Sequence, residues 1–157
     1  MKKILFVCTG NSCRSVMAEG LLKQLVSSRP DVQVASAGIS AVDGYPATQE
    51  TVHAMRGLGV DVSRHKSRRL TDAMVHEADK IFVMEMAHRD WILNLAPGAA
   101  HKVALLTEYA DDEGYVKKFM DVPDPIRMSD NFYKNVLTVI QTCVRNIAAR
   151  IDKNKGK

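Results

Sequence analysis

Four short apolar runs alternate with longer stretches of helical periodicity, and this alternation constrains the fold more than any other feature of the chain. Ile4 to Cys8, Val32 to Ser36, Lys80 to Met84 and Val103 to Leu106 are rich in β-branched and aromatic residues and read as strands. Met17 to Val26, Thr48 to Leu58, Thr71 to Ala78, Arg89 to Leu95 and Ser129 to Ile151 carry apolar residues at helical spacing. Strands joined through helices are parallel, because a parallel pair needs a long crossover, and apolar strands of this kind are covered on both sides. The expectation is an α/β fold: a single domain with a roughly four-stranded parallel sheet and helices on both faces. The 157 residues suffice for one core. Its boundaries are expected at 1–152, with 153–157 as a flexible tail in the Lys/Asn-rich stretch that begins at Asp152.

Phe132, Val136, Val139, Ile140, Cys143, Val144, Ile147 and Ile151 form one stripe on the last helix, which places Cys143 in the core. Ser129 and Asp130 can cap that helix, and Pro123 and Pro125 keep the preceding segment extended. Ligands of open α/β sheets bind outside the carboxyl ends of the strands. The loop after the first strand and the loop before the last helix both reach that edge.

Composition narrows the function classes. With 46% hydrophobic and 25% charged residues, the chain is neither disordered, collagenous nor a coiled coil. No apolar stretch approaches the roughly 20 residues of a membrane span, and the opening MKKILFVCTG runs into a polar loop instead of a cleavage site. A cytoplasmic protein with no membrane partner is therefore expected. Three cysteines, two of them close together near the N-terminus, argue for chemistry over a disulfide scaffold. The net charge of +4 favours anionic ligands but is too small to argue for nucleic acid.

That chemistry is expected in Thr9-Gly10-Asn11-Ser12-Cys13-Arg14-Ser15, between the first strand and a helix beginning near Val16 or Met17. A loop entering a helix N-terminus can aim successive N–H groups inward as an anion cradle. Gly10 allows backbone geometry barred to other residues, Asn11 tolerates a left-handed conformation, and Arg14 offers a planar fork for phosphate oxygens. Cys8 at the mouth would feel all of these, and comparable settings lower a thiol pKa from about 8.5 to roughly 4–7. Ser15 can donate a hydrogen bond to its sulfur. Cys13 has two open roles, a loop-packing thiol or a disulfide partner for Cys8 under oxidation.

The spacing Cys8-x5-Arg14-Ser15 within VCTGNSCRSVMAEG, together with Asp124-Pro125 near the C-terminus, resembles the low-molecular-weight protein phosphatase family. Ser36-Ala37-Gly38, His65-Lys66-Ser67-Arg68 and the overall length are similar to it as well. The resemblance implies that Asp124 is the general acid, with Asp121 in a supporting place, and that Asn11 and His65 are structural. It implies a two-step displacement: Cys8 attacks phosphorus, Asp124 protonates the leaving group, and water activated by Asp124 hydrolyses the phosphocysteine. Thr9 through Arg14 would hold the phosphoryl oxygens. No metal and no cofactor take part in that scheme. The implied partners are phosphorylated proteins, with phosphate and other oxyanions as inhibitors, and the implied state is a monomer.

Two positions depart from the common family pattern. Ile126 stands where most relatives carry an aromatic wall for a phosphotyrosine ring, and Ser12 stands where tyrosine-directed members carry a bulky aliphatic residue. A small hydroxyl residue at Ser12 resembles the protein-arginine phosphatases. Phosphotyrosine is expected first and phosphoarginine second. Val16 replaces a proline often found after the Arg-Ser pair. The rest of the substrate wall is expected from Val42 to Tyr45, Met86, His88 and the Ile126 to Met128 loop, with Tyr45 the accessible aromatic and Trp91 in the core or at a groove edge. Zinc binding lacks a second close ligand pair, a Walker loop is absent, and the redox cysteines of the arsenate-reductase branch are missing. A non-catalytic phosphopeptide-binding module built on the same cradle is the alternative from another class.

Overall fold

The computed structural model describes residues 2–111 and 117–154. Its centre is β1 (Lys2–Cys8), flanked by β2 (Val32–Gly38) and β3 (Lys80–Val83), with β4 (Val103–Leu105) outside β3. All pairings are parallel, in the order β2-β1-β3-β4. Helices α1 (Arg14–Leu25), α2 (Gln49–Arg56), α3 (Asp72–Glu77), α4 (Met86–Leu95) and α5 (Asp130–Lys153) supply the two outer layers. The expected α/β architecture with four strands is the one observed.

Period-2 alternation along β1 divides the core. Ile4, Phe6 and Cys8 face Val16, Met17 and Leu21 of α1, Met55 of α2 and the Val136, Ile140, Cys143, Val144 stripe of α5. Leu5 and Val7 face the opposite layer, with Val75 of α3 and Ile92 of α4. Cys143 is fully buried as expected, and burial pushes its thiol up to about 12, so it remains protonated. Trp91 is half-buried against the second layer.

Several boundaries differ from the periodicity. Helix α1 begins at Arg14, two or three residues early, with Cys13 as its cap, so Arg14 and Ser15 belong to its first turn. Helix α4 begins at Met86 instead of Arg89, because Glu85 and His88 close a reciprocal cap ahead of the apolar stripe. Ser129 caps α5 by accepting from the Phe132 N–H at 3.3 Å. That helix continues through Lys153, and Arg29 pairs with Asp152 at 2.8 Å. Residues 155–157 of the expected tail lie outside the described residues. No helix among the described residues is long and apolar enough to cross a membrane.

With β1 central, its exit and the exit of β3 lie side by side where connections depart to opposite faces. This is the crevice in which doubly wound sheets bind ligands. Residues 9–13 leave β1 there, and Glu85 follows β3.

Candidate active site

The loop from Cys8 to Ser15 is held from behind by one amide. Asn11 has a left-handed backbone, φ 53°, and is fully buried. Its Oδ1 accepts from the Arg68 N–H at 2.9 Å, which fixes the amide, so Nδ2 donates to Ser15 Oγ at 2.9 Å and to Ser36 Oγ at 2.8 Å. Ser15 Oγ therefore accepts from Asn11, and its own hydrogen is available to Cys8 Sγ, 2.9 Å away, when the sulfur is a thiolate. The Asn11 N–H donates to the same sulfur at 3.3 Å. Ser36 in turn donates to Glu19. His65 Nε2 donates to the Asn11 carbonyl at 2.8 Å, the scaffold contact anticipated for that residue.

Asn11 carries the unusual backbone angle, and the expectation for Gly10 needs correction. Gly10 is not left-handed, and a Cβ there would meet only Ser12 Oγ, at an ordinary 3.6 Å. The sterically constrained glycine is Gly38 at the end of β2. A Cβ on Gly38 would lie 2.6 Å from the Thr9 carbonyl oxygen and 2.8 Å from the Asn11 nitrogen, so only glycine lets β2 close against the loop.

Arg14 is 2% exposed and is oriented by groups outside the loop. Nη1 donates to Glu85 Oε2 at 2.6 Å and to the Val122 carbonyl at 2.8 Å, while Nη2 lies 3.4 Å from Asp124 Oδ2. The Cys13 side chain makes no cap hydrogen bond to the first turn of α1. That turn is a favourable place for an anion.

Asp124 and Asp121 have different partners. Asp121 Oδ1 accepts from the Met86 N–H at 2.8 Å and so is engaged at the start of α4. Asp124 is exposed, steadied by the Ile126 N–H at 3.1 Å, and beside the guanidinium. The Val122 N–H bonds to the Met84 carbonyl at 2.8 Å, which ties this segment to the end of β3.

Cys13 is buried in the same core layer as Cys8. Its Sγ sits 3.5 Å from Thr48 Oγ1 and 3.6 Å from Tyr133 Oη, and all three cysteines are free. Burial raises the Tyr133 pKa, so the phenol stays neutral. Ser12 Oγ is 3.8 Å from the same sulfur. Among the expected wall residues, Val42, Tyr45, Met86, Ile126 and Met128 are exposed. His88 is not a wall residue: it is buried, with Nε2 2.9 Å from Thr9 Oγ1.

Glu85 and the true position of His88 escaped the sequence reading. A Glu-x-x-His cap lacks the Ser/Thr…Glu/Gln form by which a helix start is usually recognised, although a polar pair directly after a strand at the sheet's carboxyl edge was a usable signal.

The profile of the low molecular weight phosphotyrosine protein phosphatase family matches residues 3–157. The chain belongs to this family. Among its relatives is the probable low molecular weight protein-tyrosine-phosphatase EpsP of Ralstonia nicotianae, 39% identical over 96% of this chain and 97% of that protein. Of the solved structures, Vibrio vulnificus Wzb in complex with benzylphosphonate superposes with a TM-score of 0.83 at 33% identity, over 95% of this chain and 98% of the other. A cysteine-to-serine variant of the YwlE arginine phosphatase, with its active-site serine phosphorylated, superposes with a TM-score of 0.86 at 32% identity, over 96% of each chain. This low molecular weight phosphatase thus resembles a relative named as a probable protein-tyrosine-phosphatase and another named as an arginine phosphatase.

Proposed function

We propose that residues 1–152 form one catalytic domain that hydrolyses phosphorylated side chains of proteins through a phosphocysteine, with phosphotyrosine as first substrate class. The observation that carries this reading is the convergence of a hydrogen-bonded thiol, a buried guanidinium and an exposed carboxylate. Cys8 Sγ faces Ser15 Oγ at 2.9 Å, and Arg14 Nη2 lies 3.4 Å from Asp124.

Cys8 attacks phosphorus in line with the leaving oxygen while Arg14, the N–H groups of residues 9–14 and the first turn of α1 hold the equatorial oxygens. Asp124 gives its proton to the leaving group. As a carboxylate it then takes a proton from the water that attacks phosphorus, and sulfur departs as a thiolate steadied by Ser15 and Asn11. Asp124 is assigned over Asp121 because its Oδ2 lies 3.4 Å from Arg14 Nη2 at the cradle, whereas Asp121 accepts from the Met86 N–H at the start of α4. The phosphorylated serine of the YwlE variant supports covalent transfer at the cysteine position in that relative.

Phosphoarginine is the second reading, favoured by the small hydroxyl of Ser12, the aliphatic Ile126 and the likeness to YwlE. Free phosphate and other oxyanions are expected to compete for the cradle. Three free thiols suit a reducing, cytoplasmic setting, and the enzyme is expected to act as a monomer.

The test is turnover of p-nitrophenyl phosphate. Cys8→Ser should lose all measurable turnover and still bind vanadate, because only the thiolate is removed. Activity within tenfold of the unaltered enzyme, or turnover lacking in the unaltered enzyme itself, would overturn the reading.

A further inference from the structure

We propose that His88 is a positioning residue that, through Thr9, fixes the entrance of the phosphate cradle to the same helical turn that fixes its exit. The inference rests on the reading of the Cys8 to Arg14 loop as the phosphoryl-transfer site.

The hydrogen positions follow from the partners. His88 Nδ1 lies 3.1 Å from the Glu85 N–H, an obligate donor, so Nδ1 is an acceptor and the imidazole carries its hydrogen on Nε2. Nε2 in turn lies 2.9 Å from Thr9 Oγ1 and 3.3 Å from Glu85 Oε2. Its short contact is with the threonine, whose oxygen accepts. The ring is 1% exposed, so water does not offer an alternative partner, and a buried N–H of this kind needs one.

Thr9 is the first residue after the nucleophile, and Arg14 closes the loop five residues later. One end is held by His88 and the other by Glu85, which donates and accepts with His88 as the cap of α4. A cradle whose backbone donors must match the phosphoryl oxygens to within a fraction of an ångström gains from having both ends referred to one rigid element. Thr9 also has its carbonyl bonded to the Ser40 N–H at 3.0 Å, so its backbone is held from β2's side and its side chain from α4's. Releasing the side chain loosens the cradle without removing any group that touches phosphate.

The experiment separates this role from the cap. His88→Asn keeps an acceptor at the same distance from the backbone, preserving the bond from the Glu85 N–H, but cannot reach Thr9. Thr9→Val removes the hydroxyl at equal volume, and Thr9→Ser restores it. Turnover of p-nitrophenyl phosphate and competitive inhibition by inorganic phosphate are measured on the full chain. His88→Asn and Thr9→Val should each lower kcat/KM by about three- to tenfold, the size of one lost buried hydrogen bond. Phosphate inhibition should weaken in the same variants. The double variant should be no slower than the slower single variant, and Thr9→Ser should recover most of the rate that Thr9→Val loses.

Multiplying losses in the double variant, or a Thr9→Ser enzyme as slow as Thr9→Val, would overturn the proposal. So would a His88→Asn enzyme of unchanged rate. If His88→Asn does not fold, the two threonine variants decide alone. An unaltered enzyme with no turnover would instead be a failure of the proposed function.

Discussion

Arg14 is oriented by a carboxylate that follows a different strand: Glu85 Oε2 lies 2.6 Å from Arg14 Nη1 in a pair of which the arginine side is 2% exposed. A guanidinium this deeply placed is costly to leave without its partner. Glu85→Ala should therefore lower stability by about 1.5–3 kcal/mol, the range for a hydrogen bond to a charged group, read from urea unfolding. It should also reduce kcat more than it raises KM, because a fork free to rotate is still a cation but no longer meets the charge developing at phosphorus. Arg14→Lys should be nearly inactive, since an ammonium cannot hold Glu85, the Val122 carbonyl and a phosphoryl oxygen together. Near-normal kinetics for Arg14→Lys would show that the loop does not grip phosphate through this fork.

The two nearby aspartates should divide by leaving group. Asp124→Asn should slow alkyl and other poorly leaving phosphates by a hundredfold or more, on the order of the 10²–10⁴ supplied by general acids, and activated aryl phosphates far less. Asp121→Asn should slow both series equally and mildly, because Asp121 holds the Met86 N–H at the start of α4. Rates across a series of leaving-group pKa values decide it, and a steepened dependence in Asp121→Asn alone would exchange the two assignments.

Burial holds the His88 imidazole below its ordinary pKa of 6.5, Arg14 adds to that, and Glu85, Asp121 and Asp124 oppose it. The unfolded chain consequently binds a proton at His88 before the folded protein does. Its contribution is complete above about pH 6.5 and is lost as pH falls toward the folded pKa, with a slope of at most about 1.4 kcal/mol per pH unit. The stability difference between the unaltered protein and His88→Asn should therefore shrink from pH 7 to pH 5 in chemical unfolding. A difference that stays constant would place the titration elsewhere.

Substrate choice should respond to two positions that do not touch the nucleophile. Ile126 is 43% exposed beside the Asp124 loop and offers no ring to stack on, a contact worth roughly 0.5–1.5 kcal/mol. Ile126→Tyr should raise kcat/KM for aryl phosphates by a few-fold to about tenfold. Ser12→Ile should selectively impair phosphoarginine hydrolysis, by filling space and removing a hydroxyl, while aryl phosphate turnover stays largely intact. Side-by-side kinetics on phosphotyrosine and phosphoarginine peptides read both. An unaltered enzyme with no phosphoarginine activity, and no response to Ser12→Ile, would leave Ser12 a neutral small residue.

Local sequence was sufficient for what depends on neighbours along the chain. The alternation of apolar runs and helical stripes determined the parallel sheet and its two covering layers, because burial patterns repeat with the period of each element. Cys8, Asn11, Arg14 and Ser15 were legible as one site for the same reason: a strand, a tight loop and a helix start keep them together whatever the rest of the fold does. Only the tertiary structure decided what stands against that loop. Glu85 and His88 lie 71 and 79 positions from their partners Arg14 and Thr9, and they meet because β3 pairs with β1 and ends at the same edge. The glycine that the loop requires proved to be Gly38, since the constraint comes from β2's approach to Thr9 and Asn11 and not from the loop's own turn. A residue's chemical type is written in the sequence. The hydrogen that Ser15 has free for Cys8 is not, because it depends on the Arg68 N–H fixing the Asn11 amide from 57 positions away.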